Sequence, residues 1–103
     1  MFDVRYVTAT VLALLVSSSA SGSPDLARSK NCVACHHVER KMIGPAYKAV
    51  AERYVKDEAA VPKLSEKVIK GGAGSWGQTP MPPQPNVTSA EAEILVKWIL
   101  SQQ

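Results

Sequence analysis

Cys32-Val33-Ala34-Cys35-His36 gathers both cysteines of the chain and one of its two histidines into five residues. Cysteine, two residues, cysteine, histidine is the spacing at which a c-type haem is attached. Residues three apart in one helical turn face the same way, with about 5–6 Å between Cβ atoms. Each thiol can therefore add to one of the two vinyl groups on a haem edge. His36 then points its imidazole toward the iron as an axial ligand, and two thioethers prevent loss of the cofactor by dissociation. Two other chemistries use parts of this pattern. A closed zinc site needs four ligands, and beyond these three only His37 and the methionines could serve. A thiol-disulfide redox pair normally sits in a βαβ context, and no such pattern is present.

A second axial ligand has to come from elsewhere. Met81 lies in Thr79-Pro80-Met81-Pro82-Pro83, where prolines on both sides restrict the backbone. A rigid arm suits a thioether, which binds iron too weakly to hold it by bond strength alone. Methionine also fills core gaps, and Met42 is a competing ligand, although it lies close in sequence to the attachment site.

The elements that must position these residues are helical. Ser23-Pro24-Asp25 reads as a helix start, with Ser23 as the cap, Pro24 at the first helical position and Asp25 favoured by the helix dipole. This helix should bury Leu26 and Ala27, run to about Asn31 and deliver the cysteine turn. A second helix is expected from Ala46 to about Val55, with Tyr47, Val50, Ala51 and Tyr54 at helical spacing. A third starts near Pro62, carries Leu64 and Val68, and stops at Gly71-Gly72. Between residues 71 and 86 stand four glycines and four prolines. That density of breakers predicts an ordered but irregular functional loop, and no strand is expected anywhere. Thr88-Ser89-Ala90-Glu91 is a capping box opening a last helix, with Ala92, Ile94, Leu95, Trp98 and Ile99 on its apolar face. That helix is expected to cross the first and close the pocket.

Residues 1–22 differ from the rest: Arg5, an apolar run from Val7 to Val16, then Ser17-Ser18-Ser19-Ala20. This reads as a secretory signal cut after Ala20 or Gly22, leaving residues 23–103 as the working domain. The run is short for a membrane span, so no stable membrane insertion is expected after cleavage. Export agrees with the cysteine motif, since haem attachment to thiols belongs outside the bacterial cytoplasm. The whole chain has 103 residues, 46% of them hydrophobic, which fits one small domain of a size that often leans on a cofactor for its core. Twelve basic against nine acidic residues, net +3, are too few and too scattered for a nucleic-acid partner. They are compatible with an acidic protein surface, and Lys30, Arg40, Lys41 and Lys48 could form a loose positive rim near the motif.

Taken together, the chain resembles the small bacterial class I cytochromes c, and within them the cytochrome c-551 group. The resemblance runs from Leu26 to Gln102. It is carried by Asn31-Cys32-Val33-Ala34-Cys35-His36, Lys41-Met42-Ile43-Gly44-Pro45-Ala46-Tyr47, Gly74-Ser75-Trp76-Gly77, Pro80-Met81-Pro82-Pro83 and Lys97-Trp98-Ile99-Leu100-Ser101-Gln102. It implies an all-α fold of four or five short helices around one covalent haem c, with His36 and Met81 as axial ligands. It further implies that the Pro45 carbonyl accepts the free N–H of His36, and that Trp76 donates its indole N–H to a haem propionate. Lys67 falls where relatives carry an arginine for the same purpose, and offers a point charge instead of a fork. His37 lies outside the family pattern and reads as a partly exposed surface residue.

Six-coordinate iron has no open position for a substrate, so the implied role is a soluble periplasmic one-electron carrier, not an enzyme. Redox proteins would be its donor and acceptor, and a monomer is the expected state. The alternatives are a haem subunit of a larger reductase or oxidase, or a five-coordinate catalytic or gas-binding haem protein.

Overall fold

The computed structural model describes residues 10–13 and 22–103. Most of the expected secretory signal and its first expected cleavage point, after Ala20, lie outside the described residues, whereas the second, after Gly22, falls at the start of α1. Four helices and one hairpin form the domain: α1 (Gly22–Ser29), α2 (Tyr47–Tyr54), α3 (Ala60–Lys70), β1 (Gly72–Gly74), β2 (Gly77–Met81) and α4 (Ser89–Leu100). A 3₁₀ turn, Cys32–Ala34, carries the cysteine motif. Among the described residues no helix is long and apolar enough to cross a membrane.

Each helix has a local cause. α1 holds Pro24 and Asp25 in its first turn and Arg28 in its last, matching the polarity of the helix dipole. It begins at Gly22, one position before the expected cap, and ends two residues before Asn31. Asn31 then takes a left-handed conformation at φ 63°, which asparagine tolerates better than most residues, and this reversal turns the chain into the cysteine motif. α2 buries Tyr47, Val50 and Ala51, an i, i+3, i+4 stripe. α3 is stopped by Gly71 at φ 73°, whose N–H donates to the Lys67 carbonyl at 2.8 Å. The capping box of α4 is complete: Glu91 N–H donates to Thr88 Oγ1 at 3.1 Å, and Thr88 N–H donates to Glu91 Oε1 at 3.0 Å.

α4 packs on α1, α2 and α3 and is the spine of the domain. Ala92, Leu95 and Val96 are buried with Ala27, Val68 and Val87 in one cluster, and Leu26, Leu64, Ile69, Met81 and Trp98 pack against it. Burying Leu95 alone contributes roughly 1.5–3 kcal/mol. Ile94, expected on this face, is instead exposed, and Val96 takes its place. The helical period explains the difference. At about 100° per residue, position 94 lies roughly 200° round from position 92, whereas 95 and 96 flank it.

The second departure is the hairpin. β1 and β2 pair antiparallel, Gly72 with Met81 and Gly74 with Gly77, across the two-residue loop Ser75-Trp76. Gly74 and Gly77, which bracket this loop, both have positive φ, 94° and 108°, a conformation glycine reaches without the steric cost a side chain would bring. A hairpin exposed along most of its length needs no alternating apolar pattern, and Pro80 is tolerated on an outer strand. The residues that read as breakers are the ones the turn requires.

Candidate haem site

The cysteine turn is held by backbone bonds into the loop that follows it. Gly44 N–H donates to the Cys35 carbonyl at 2.8 Å, Tyr47 N–H to His37 at 2.9 Å and Lys48 N–H to Val38 at 3.0 Å. The loop thereby brings Pro45 under the imidazole of His36, where His36 Nδ1 stands 2.8 Å from the Pro45 carbonyl. A carbonyl oxygen can only accept, so Nδ1 carries the proton and Nε2 keeps its lone pair free. The ring has little room to move. Tyr47 stacks on it at 5.4 Å between centroids and 21° between planes. Gly44 also lies against the ring: a Cβ there would come within 2.9 Å of Nε2 and closer still to Cε1 and Nδ1. Tyr47 in turn meets Trp98 edge-on at 5.2 Å, so helix α4 buttresses the histidine through one intervening ring.

Met81 is placed from the other end of the site. It pairs with Gly72 at the close of the hairpin, and three residues on, the Gln84 N–H donates to the carbonyls of Val68 and Ile69 at 3.2 and 3.1 Å. Gly71 permits this crossing, since a Cβ there would meet the Met81 carbonyl oxygen at 2.6 Å.

These two arms open on one cavity of about 490 Å³, within the range of cofactor sites. Cys32, Cys35 and His36 line it from the motif, with Pro45 behind the histidine. Met81, Lys67 and Trp76 line it from α3 and the hairpin, and Leu64, Val68 and Leu95 supply apolar wall. All seven residues singled out in the sequence therefore border the same space. Met42 is exposed and does not line it.

Burial governs the proton affinities near the motif. Burial pushes the Cys32 thiol up, partly offset by a backbone hydrogen bond, and neighbouring Cys35 adds to the rise. Tyr47 is pushed up to about 12, by burial first and then by the two thiols, and its buried hydroxyl has no partner among the described residues. Both stay neutral at ordinary pH. The two cysteines are free thiols, and among the described residues no three His, Cys, Asp or Glu side chains converge as a metal cage. The donor set thus fits a flat cofactor joined by two thiols and met by one imidazole and one thioether. A closed tetrahedral metal site would need donors that are not gathered here.

Sequence reasoning missed part of the wall around Trp76. Lys67 Nζ donates to Ser75 Oγ, Arg53 donates from Nη1 to the Ser75 carbonyl, and the Arg53 guanidinium lies 4.5 Å from the centre of the Trp76 ring. Arg53 is an ordinary helix-surface residue by pattern, and Tyr47 reads only as core. Neither had a signal that named its neighbour.

Helices wrapped around a cavity with a Cys-x-x-Cys-His turn on one arm and a proline-bracketed methionine on the other define a c-type haem protein. A family model described as cytochrome c matches residues 23–103. Cytochrome c-552 of Nitrosomonas europaea is 47% identical over 89 residues, covering 86% of this chain and 86% of the relative. Cytochrome c-552 of Hydrogenobacter thermophilus is 54% identical over 76 residues, covering 74% and 76%. The crystal structure of wild-type Nitrosomonas europaea cytochrome c552 superposes with a TM-score of 0.76 at 46% identity, covering 78% of this chain and 99% of that one. The chain belongs to the cytochrome c family, and its relatives are the small c-551 and c-552 proteins. Membership brings one covalently attached haem c and a place in electron transfer.

Proposed function

We propose that this chain is a soluble periplasmic one-electron carrier whose haem is bound through Cys32 and Cys35 and ligated by His36 and Met81. The observation that carries the reading is the opening of the histidine arm and the methionine arm on one cavity beside the two thiols. Haem c supplies the ferric/ferrous couple when bound. The protein's part is to fix the ligands. Pro45 and Tyr47 hold the imidazole with Nε2 free, and an imidazole so tied to a carbonyl is a more basic ligand. Prolines 80, 82 and 83 and the Gln84 tether keep the Met81 thioether from swinging away. A thioether in an apolar wall favours the ferrous state and raises the potential relative to two nitrogen ligands. Ligands held this firmly need little rearrangement when the electron moves. Lys67 and Trp76, both on the cavity wall, would offer a cation and an indole N–H to the propionates. Residues 1–22 act as the export signal, and the mature protein works as a monomer between redox partners.

Met81→Ala tests the ligand assignment. The variant is expected to bind carbon monoxide rapidly when reduced and to have a lower midpoint potential than the wild type. An unchanged potential with no carbon monoxide binding would remove Met81 from the iron.

A further inference from the structure

Arg53 sits in the last turn of α2 and makes no ion pair with any described residue. Both of its contacts are on the hairpin tip: the hydrogen bond to the Ser75 carbonyl and the approach to the Trp76 face. Beyond these, that tip is held by the Lys67 hydrogen bond to Ser75 Oγ and by little else. β1 is exposed throughout, β2 is exposed except at Met81, and the loop is flanked by two glycines with open space where a Cβ would stand. Trp76 itself is 38% exposed while lining the cavity, so a free ring could swing outward. A guanidinium on an aromatic face is attracted by the ring's negative π surface. It leaves the ring edge untouched, and among the described residues the Trp76 Nε1–H, which lies on that edge, has no protein acceptor.

We propose that Arg53 is a positioning residue that clamps the Trp76 ring by its face, so that the indole N–H is aimed at the anionic edge of the haem. The proposal rests on the carrier reading above. It explains why a cation with no acidic partner is spent on a neutral ring, and it links α2, which supports His36 through Tyr47, to the hairpin that ends in Met81. The planar fork is what the site uses, since a lysine could reach the Ser75 carbonyl but could not stack.

The test uses ferrous holoprotein, with Arg53→Gln, Arg53→Lys and, as a charge control, Lys56→Gln. Hydrogen exchange of the Trp76 indole N–H is followed by NMR beside the midpoint potential. Loss of the cation–π contact and of one hydrogen bond predicts about tenfold faster indole exchange in Arg53→Gln. Its potential should fall, because a propionate without its donor stabilises ferric iron. Arg53→Lys should recover only part of both changes, and Lys56→Gln should match the wild type. Holoprotein in which Arg53→Gln leaves indole exchange and potential unchanged overturns the proposal, as does a Lys56→Gln variant that reproduces the shifts. A wild type that carries no haem overturns the underlying reading instead, and the colour of the sample separates the two failures.

Discussion

His36 is held by three contacts that serve different ends. The Pro45 carbonyl fixes the tautomer, the Tyr47 ring fixes the plane, and the bare backbone of Gly44 leaves the space the imidazole occupies. The least obvious of these is Gly44, whose φ is not in the left-handed region and whose importance is steric alone. Gly44→Ala should force a ring pinned on two other sides to shift, with a cost of about 1–3 kcal/mol typical of overpacking. Denaturant titration of the wild type and the variant would read this, and equal midpoints would mean that the ring yields freely. The Cys-x-x-Cys-His motif and the proline-bracketed methionine were legible because covalent attachment and ligation demand fixed residue types at fixed spacing. Pro45, Trp76 and Lys67 were reached only through the family resemblance. Arg53 and the stacking role of Tyr47 were illegible, because each depends on a neighbour distant in sequence, His36 for Tyr47 and Ser75 and Trp76 for Arg53, brought close by the fold.

Helix identity was legible from caps and periods, and the difficulties lay where backbone geometry outweighs side-chain pattern. α4 was predicted from its capping box, yet its inward face was misjudged at position 94, where a hydrophobic residue lies on the outward side. The hairpin was missed because Gly74 and Gly77 read as breakers when they are the pair of strand residues that brackets the turn. The capping box gives an element-level test through Glu91, whose carboxyl is held below its ordinary range chiefly by the Thr88 backbone N–H, with Lys30 assisting. A depressed folded-state value contributes stability above the unfolded value, near 4.3, and that contribution fades as pH falls through the lower folded value. Glu91→Gln keeps a hydrogen-bond acceptor but loses the charge. Urea midpoints should therefore show the wild type ahead of Glu91→Gln at neutral pH, with the gap closing below about pH 4. A gap that stayed constant down to strongly acid pH would mean that the carboxylate charge plays no part.

At the scale of the whole molecule, one fold explains why so short a chain can work: a small apolar cluster is set beside a cavity of about 490 Å³ whose lining would hold the cofactor. The positive rim foreseen in the sequence is weaker in the structure. Lys30 pairs with Glu91 and donates to the Asn86 carbonyl, and Lys48 pairs with Glu39, which leaves Arg40 and Lys41 as its unpaired members among the described residues. Beside them stand the exposed apolar side chains Val33, Met42 and Ile43, so charge steering has less to work with than the count of basic residues implied. The central claim is a single haem attached covalently through the cysteine pair, with its iron ligated by His36 and Met81. Its most direct measurement is the mass and visible spectrum of the full chain exported by a bacterium with haem-attachment machinery. The account predicts a processed polypeptide heavier by one haem, with a weak far-red methionine-to-iron band when oxidised. A colourless protein at bare polypeptide mass, or a haem protein that lacks that band and binds carbon monoxide at once, would contradict it.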